Sequence, residues 1–157
     1  MLLIVWHSRT GASQALAEAA SAAAGRLGRM MPAAAAGPED LLAARGYLFV
    51  CPENLGSMSG VMKELFDRCY YPLLGQIEGR PYASIIAAGS AGQGAQAQLD
   101  RIVTGWRLRR VAEPMIAGTC AQSAEEIMAP KIVPPAILAQ ASELGVAMAN
   151  GLDLGIF

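Results

Sequence analysis

Histidine is nearly absent from this chain: a single residue, His7, among 157. That excludes a histidine-rich metal site. The cysteines are few and badly spaced for chemistry. Cys51, Cys69 and Cys120 form an odd set with no C-x-x-C pair, which excludes a disulfide framework and a zinc cluster and fits a reducing, cytoplasmic setting. Cys51 and Cys69 sit in apolar runs and read as inert core thiols. Charge is scarce too. Only 16% of residues are charged, the net charge is −1 and the pI is about 5.8, so nothing favours a nucleic-acid partner or an anionic membrane surface. No apolar run is long enough for membrane insertion. Met1–Trp6 is apolar but has no basic segment before it and leads straight into polar turn residues, so no secretory leader is expected. The triphosphate-binding pattern G-x-x-x-x-G-K-[ST] occurs nowhere.

What is present is a chain 54% hydrophobic, sized for one domain with a real core, expected to run over residues 1–157. Short apolar runs alternate with helical patterns. Leu2–Trp6 reads as a buried strand. Ser13–Leu27 follows as a helix with Leu16, Ala19, Ala20, Ala23 and Leu27 on one face, Ser13 as its cap and Gly28 at its end. Arg29–Ala35 reads as a second strand and Glu39–Ala44 as a short helix. Gly46–Cys51 is a third strand, with a helix over Gly60–Tyr70 behind Ser59 as a cap. Tyr82–Ala88 is a fourth strand, Ala95–Arg107 a helix, Arg110–Ala117 a fifth strand and Pro134–Asn150 a closing helix. The stretch around Ala129–Ala136 reads as a surface connection.

This alternation predicts an α/β three-layer sandwich, a five-stranded parallel sheet with helices on both faces. Pro32 and Pro114 fall in the second and fifth strands, and proline belongs on sheet edges. Strand order 2-1-3-4-5 puts both there, and places the ligand site at the carboxyl ends of strands one and three.

Three loops meet at that edge. Ser8-Arg9-Thr10-Gly11-Ala12-Ser13 gathers hydroxyls and backbone N–H groups at a helix start, where unpaired donors and a positive partial charge suit a phosphate without any lysine. Gly11 allows close backbone approach. The plain alternative is a turn with Ser13 as an ordinary cap. The second loop is Pro52-Glu53-Asn54-Leu55-Gly56-Ser57-Met58. The third, Gly89-Ser90-Ala91-Gly92-Gln93-Gly94, is rich in glycine. Gly92-x-Gly94-x-x-Ala97 is a weak dinucleotide fingerprint, but it follows a late strand, and Glu113 lies inside a strand instead of ending one. Ala88–Gly92 has the outline of a nucleophile elbow. That device needs a histidine late in the chain, and the only one is His7.

S-R-T-G-A-S after a first strand resembles the flavodoxin phosphate loop, S/T-x-T-G-x-S/T. The second loop, running on through Ser59, Gly60 and Val61-Met62-Lys63-Glu64-Leu65-Phe66-Asp67-Arg68, resembles the P-x-x-x-G-x-[MP]-[SA]-x-x-[ML]-K-x-[FL]-[LF]-D-R segment of NAD(P)H-dependent FMN reductases and quinone reductases of the flavodoxin-like superfamily. The resemblance implies a flavodoxin-like fold with bound FMN. It implies that Ser8, Arg9, Thr10, Gly11, Ala12 and Ser13 hold the phosphate, and that backbone groups of Pro52–Met58 line the flavin ring edge. It implies that Gly89, Ser90, Ala91, Gly92 and Gly94 approach the pyrimidine edge or the dimethylbenzene side. No aromatic residue occupies the second loop, so Leu55 or Met58 would pack on the ring where electron-carrier flavodoxins use tryptophan or tyrosine.

The expected activity is reduction of bound FMN by NADH or NADPH, then electron transfer to a quinone, flavin, other small-molecule acceptor or redox partner. Such chemistry asks little of side chains beyond positioning, so no catalytic side chain is assigned. Two alternatives stand beside it: an electron-carrier flavodoxin, disfavoured by the near-neutral charge, and a flavodoxin-like domain without activity. The resemblance also implies a homo-oligomer, since related reductases complete their site across a dimer. His7 and Glu53 read as orienting and loop residues, Tyr70, Tyr71 and Trp106 as core or interface. The apolar tail Leu154–Phe157 reads as docked.

Overall fold

A computed structural model describes residues 1–157. The chain runs β1 (Leu2–Trp6), α1 (Ala12–Ala24), β2 (Gly28–Pro32), α2 (Pro38–Ala43), β3 (Gly46–Asn54), β4 (Ser57–Met58), α3 (Gly60–Leu73), β5 (Pro81–Ala88), α4 (Gln93–Gly105), β6 (Arg109–Arg110), β7 (Met115–Gly118), α5 (Ala124–Met128) and α6 (Pro135–Asp153). The parallel sheet has the order β2-β1-β3-β5, with β6 and β7 both paired to the far side of β5. This is the expected flavodoxin-like arrangement.

It departs from the sequence reading in one strand. The predicted fifth strand, Arg110–Ala117, is broken into β6 and β7, with Val111–Pro114 outside both. Pro114 has no N–H to give the ladder, so pairing resumes only after it. Pro32 ends β2 on the opposite edge, as expected. The short strand β4, which folds back antiparallel on β3, is additional.

The period-two alternation of the strands explains the two cores. Leu3, Val5, Tyr47, Phe49 and Cys51 face one side, where they meet Leu65 and Phe66 of α3 and Leu99 and Val103 of α4. Leu2, Ile4, Leu48 and Val50 face the other, with Leu16 and Ala20 of α1 and Met148 and Leu152 of α6. On the first side the rings of Tyr47, Phe49, Phe66, Trp106 and Tyr70 form a continuous chain. Truncating Phe49 or Phe66 to alanine would cost about 3–5 kcal/mol. On the second side small residues let two helices close in. A side chain at Gly145 of α6 would meet the backbone oxygen of Ala20 at 2.3 Å.

Cys51 and Cys69 lie in the core, as the sequence suggested, and Cys120 is exposed. Burial pushes the Cys51 thiol up to about 12. At the end of the chain Phe157 packs against Gly151, where a Cβ would meet its ring at 2.2 Å, while Leu154 and Ile156 stay exposed.

Candidate functional site

The first loop joins β1 to α1. Gly11 caps α1 in the left-handed region (φ 96°), and the helix begins at Ala12. Ser13 therefore lies inside the helix and is not the cap that the sequence suggested. Its hydroxyl is buried and has no hydrogen-bond partner. An unsatisfied buried polar group costs about 1–3 kcal/mol, and in a native structure it calls for an explanation. The neighbouring donors explain it. Gly11 N–H donates to Ser8 Oγ at 3.0 Å, which leaves the Ser8 hydroxyl hydrogen free. The N–H groups of Arg9, Thr10, Ala12, Ser13 and Gln14 donate to nothing within the protein. No acidic residue sits in the first turn of α1. The result is a cluster of uncharged donors at a helix N-terminus, with no internal acceptor and no countercharge. It fits a phosphate group, FMN's included. The Arg9 side chain is exposed.

The second loop is built differently. Glu53 pairs with Met58 and Asn54 with Ser57 across a two-residue turn. Leu55 (φ 53°) and Gly56 (φ 75°) both take the left-handed region, as a tight hairpin turn requires. Leucine pays about 1–2 kcal/mol for that conformation, and its side chain is fully exposed. Met58 is buried in the core, which leaves Leu55 as the apolar side chain of this loop free to meet a ligand.

The third loop is locked onto the second. The Glu53 carboxylate accepts from Gly92 N–H and Ala95 N–H, both at 2.9 Å, and so caps α4 from a neighbouring strand. Gln98 of α4 returns the bond, accepting from the Ser57 hydroxyl at 2.7 Å and from Met58 N–H at 3.0 Å. Gly94 permits this approach to the second loop, while Gly92 and Gly89 permit close contacts with β7 and with the segment after it. A Cβ would meet Gly56 O at 2.2 Å from Gly94, Ile116 Cγ2 at 2.6 Å from Gly92, and Ala121 O at 2.7 Å from Gly89. Ser90 and Ala91 are exposed at the tip.

One cleft runs between these loops at the carboxyl ends of β1, β3 and β5. The first loop contributes Ser8, Arg9, Thr10, Ala12 and Ser13, the second Pro52, Glu53 and Asn54, and the third Gly89. Gly11, Leu55, Gly56, Ser57, Met58, Ser90, Ala91, Gly92 and Gly94 do not line it. Sequence reasoning missed a fourth contributor. Thr119, Ala121, Ile127, Met128 and Lys131, from the segment carrying α5, complete the wall. A signal was available. Ser123 and Glu126 form a capping box, a pattern that marks a helix start.

His7 bonds to the start of α3. Its Nδ1 lies 2.8 Å from Ser59 Oγ, and its N–H donates to Val50 O at 3.0 Å. The Ser59 hydroxyl is thereby tied to His7 and makes no capping bond to α3, contrary to the sequence expectation. Burial, and then the positive charge of Arg9, hold the His7 pKa below its ordinary value and so favour the neutral ring.

Known proteins agree with this arrangement. Among solved structures, a flavodoxin-like WrbA-like protein from Agrobacterium tumefaciens superposes with a TM-score of 0.78 at 17% identity, over 98% of this chain and 97% of that one. An archaeal flavodoxin gives 0.76 at 13% identity, over 97% and 98%. The Megasphaera elsdenii flavodoxin gives 0.67 at 18%, over 96% and 99%. At such identities these likenesses establish the fold. A curated flavodoxin from Aquifex aeolicus (strain VF5) is 30% identical over 107 residues, 66% of this chain. The chain spans 58% of that relative's length. The family model of the NADPH-dependent FMN reductases matches residues 10–119, which take in all but the start of the first loop and the whole of the second and third. This chain belongs to that family of flavodoxin-like flavoproteins.

Proposed function

We propose that the chain is an FMN-dependent oxidoreductase, with NADH or NADPH as reductant and a quinone, a free flavin or another small molecule as acceptor. The observation that carries this reading is the buried, unpartnered Ser13 hydroxyl among the free N–H groups at the start of α1. That site has donors and no acceptor, so it asks for an oxyanion; its family membership makes FMN's phosphate the natural occupant.

FMN, when bound, supplies the two-electron chemistry that links the reductant to the acceptor. The chain's own residues do the positioning. Ser8, Thr10 and Ser13 would supply hydroxyls to the phosphate, and the free N–H groups of Arg9, Thr10, Ala12 and Ser13 would face it. Pro52–Asn54 and Gly89 form the side of the cleft that would meet the ring. The bonds of Glu53 to Gly92 and Ala95 and of Gln98 to Ser57 and Met58 tie that side together, so the geometry needed for transfer does not have to be assembled at the moment of reaction. Leu55, held out at the hairpin tip, offers an apolar surface where other flavoproteins of this fold place an aromatic ring.

Anaerobic titration of the FMN-loaded protein tests the reading. NADH or NADPH should bleach the yellow colour, and a quinone should restore it. A second reading, an electron carrier without a nicotinamide site, is favoured by the Aquifex aeolicus flavodoxin among the relatives. Colour that neither nicotinamide bleaches, but that dithionite does, would select it. A chain that takes up no FMN would refute both.

A further inference from the structure

The segment between β7 and α6 is unlike the three loops. It is anchored by two buried residues, Ala121 and Val133. Between them every residue from Gln122 to Met128 is exposed, and α5 buries none of its side chains. Such a stretch has little core contact to hold it and belongs to the low-stability end of a fold. Yet it is not loose, because one side chain ties it together. The Lys131 ammonium donates to the backbone oxygens of Glu126 at 2.5 Å, Ile127 at 3.0 Å and Ala129 at 2.6 Å. The first two are carbonyls that the end of α5 leaves unpaired, and the third belongs to the residue just after it. The same residue's N–H donates to Thr10 O at 2.7 Å. Lys131 thus closes α5 with its side chain and seats it on the first loop with its backbone.

The seating aims two apolar side chains at the cleft. Ile127 and Met128 line it, yet they are 50% and 63% exposed. Nothing in the chain covers them. They share the cleft with the unpartnered Ser13 hydroxyl, so one ligand lying in it would satisfy the hydroxyl and cover the apolar pair together.

We propose that Thr119–Lys131 is a fourth cofactor-binding segment, a strap whose Ile127 and Met128 lie against bound FMN and whose positioning residue is Lys131. This rests on the FMN reading above and adds a distinct claim: the strap retains the cofactor. The three carbonyls take up all three donors of the Lys131 ammonium, which leaves none to bond the phosphate directly.

The test uses the full chain loaded with FMN. The rate of FMN release is followed by the return of flavin fluorescence on dilution. Lys131→Met keeps the length and the backbone N–H but loses the three ammonium bonds; it should release FMN about tenfold faster, because losses at a binding surface fall mainly on the off-rate. The double variant Ile127→Ser, Met128→Ser leaves the latch intact and should also speed release. It keeps the proposal testable if Lys131→Met fails to fold. In the wild-type chain FMN should slow cleavage by a glutamate-specific protease at Glu125 and Glu126, while cleavage at exposed Glu18 is unaffected. Protection of α5 together with faster release from either variant supports the strap. FMN uptake without protection, or with release unchanged in the variants that fold, overturns the strap and leaves the FMN reading standing. No uptake by the wild-type chain overturns both.

Discussion

The first loop and the paired second and third loops sit at the same edge of one sheet, but they spend their polar groups in opposite ways. Ser8–Ser13 keeps donors in reserve. The N–H groups of Arg9, Thr10, Ala12 and Ser13, with that of Gln14 just beyond, and the Ser13 hydroxyl have no partner within the protein. Pro52–Met58 and Gly89–Gly94 bond to each other, through Glu53 on the N–H groups of Gly92 and Ala95, and through Gln98 on Ser57 and Met58. One loop is unfinished without a ligand, and the other two form a finished wall. Binding energy for an anion therefore concentrates in the first loop, while the wall supplies shape.

The contrast can be broken from either side. The largest effect is expected at Gly94→Val, where the new side chain would drive into the backbone of Gly56. Denaturant unfolding should show a loss on the order of 3 kcal/mol, with the second and third loops separated. Next comes Glu53→Ala, which strips the cap from α4. A loss of about 1–2 kcal/mol is expected in the same assay, with little change in affinity for inorganic phosphate.

Ser13→Ala sharpens the difference, because its two effects have opposite signs. Removing an unsatisfied buried hydroxyl should stabilise the ligand-free chain by about 1 kcal/mol. The same change should weaken FMN binding about tenfold, measured by fluorescence quenching. A residue of the finished wall would not behave so. The smallest effect is the pH dependence from His7. Its folded-state pKa is lowered by burial and by Arg9, so the unfolded chain binds the proton first. Stability should be at its full value above about pH 6.5, the ordinary histidine value. It should fall as the pH drops through the depressed folded value, then level off. His7→Gln should flatten that part of the curve.

The sequence made the frame legible for a physical reason. Leu2–Trp6, Gly46–Cys51 and Tyr82–Ala88 are short apolar runs set between turn residues, and each became a parallel strand buried on both faces. Pro32 and Pro114 marked the edges because a missing N–H has a local cause. The same cause was read incompletely at Pro114, where it splits the strand instead of merely placing it. The first loop was legible as residue types, but the burial of the Ser13 hydroxyl was not. A two-position shift of the cap, from Ser13 to Gly11, turns an expected cap into a buried hydroxyl in need of a partner. The mutual capping of the second and third loops was hidden for another reason. Glu53 and Gly92 are 39 positions apart, and no local pattern links a carboxylate to a helix start at that distance. The strap escaped notice because it buries almost nothing and so leaves no hydrophobic period to read.

The central claim is that the donors at the start of α1 bind FMN through its phosphate. A paired titration of the wild-type chain with FMN and with riboflavin, which lacks only the phosphate, tests this most directly. FMN should bind at least about a hundredfold more tightly, and Ser13→Ala should narrow that gap. Equal affinity for the two flavins would contradict the account.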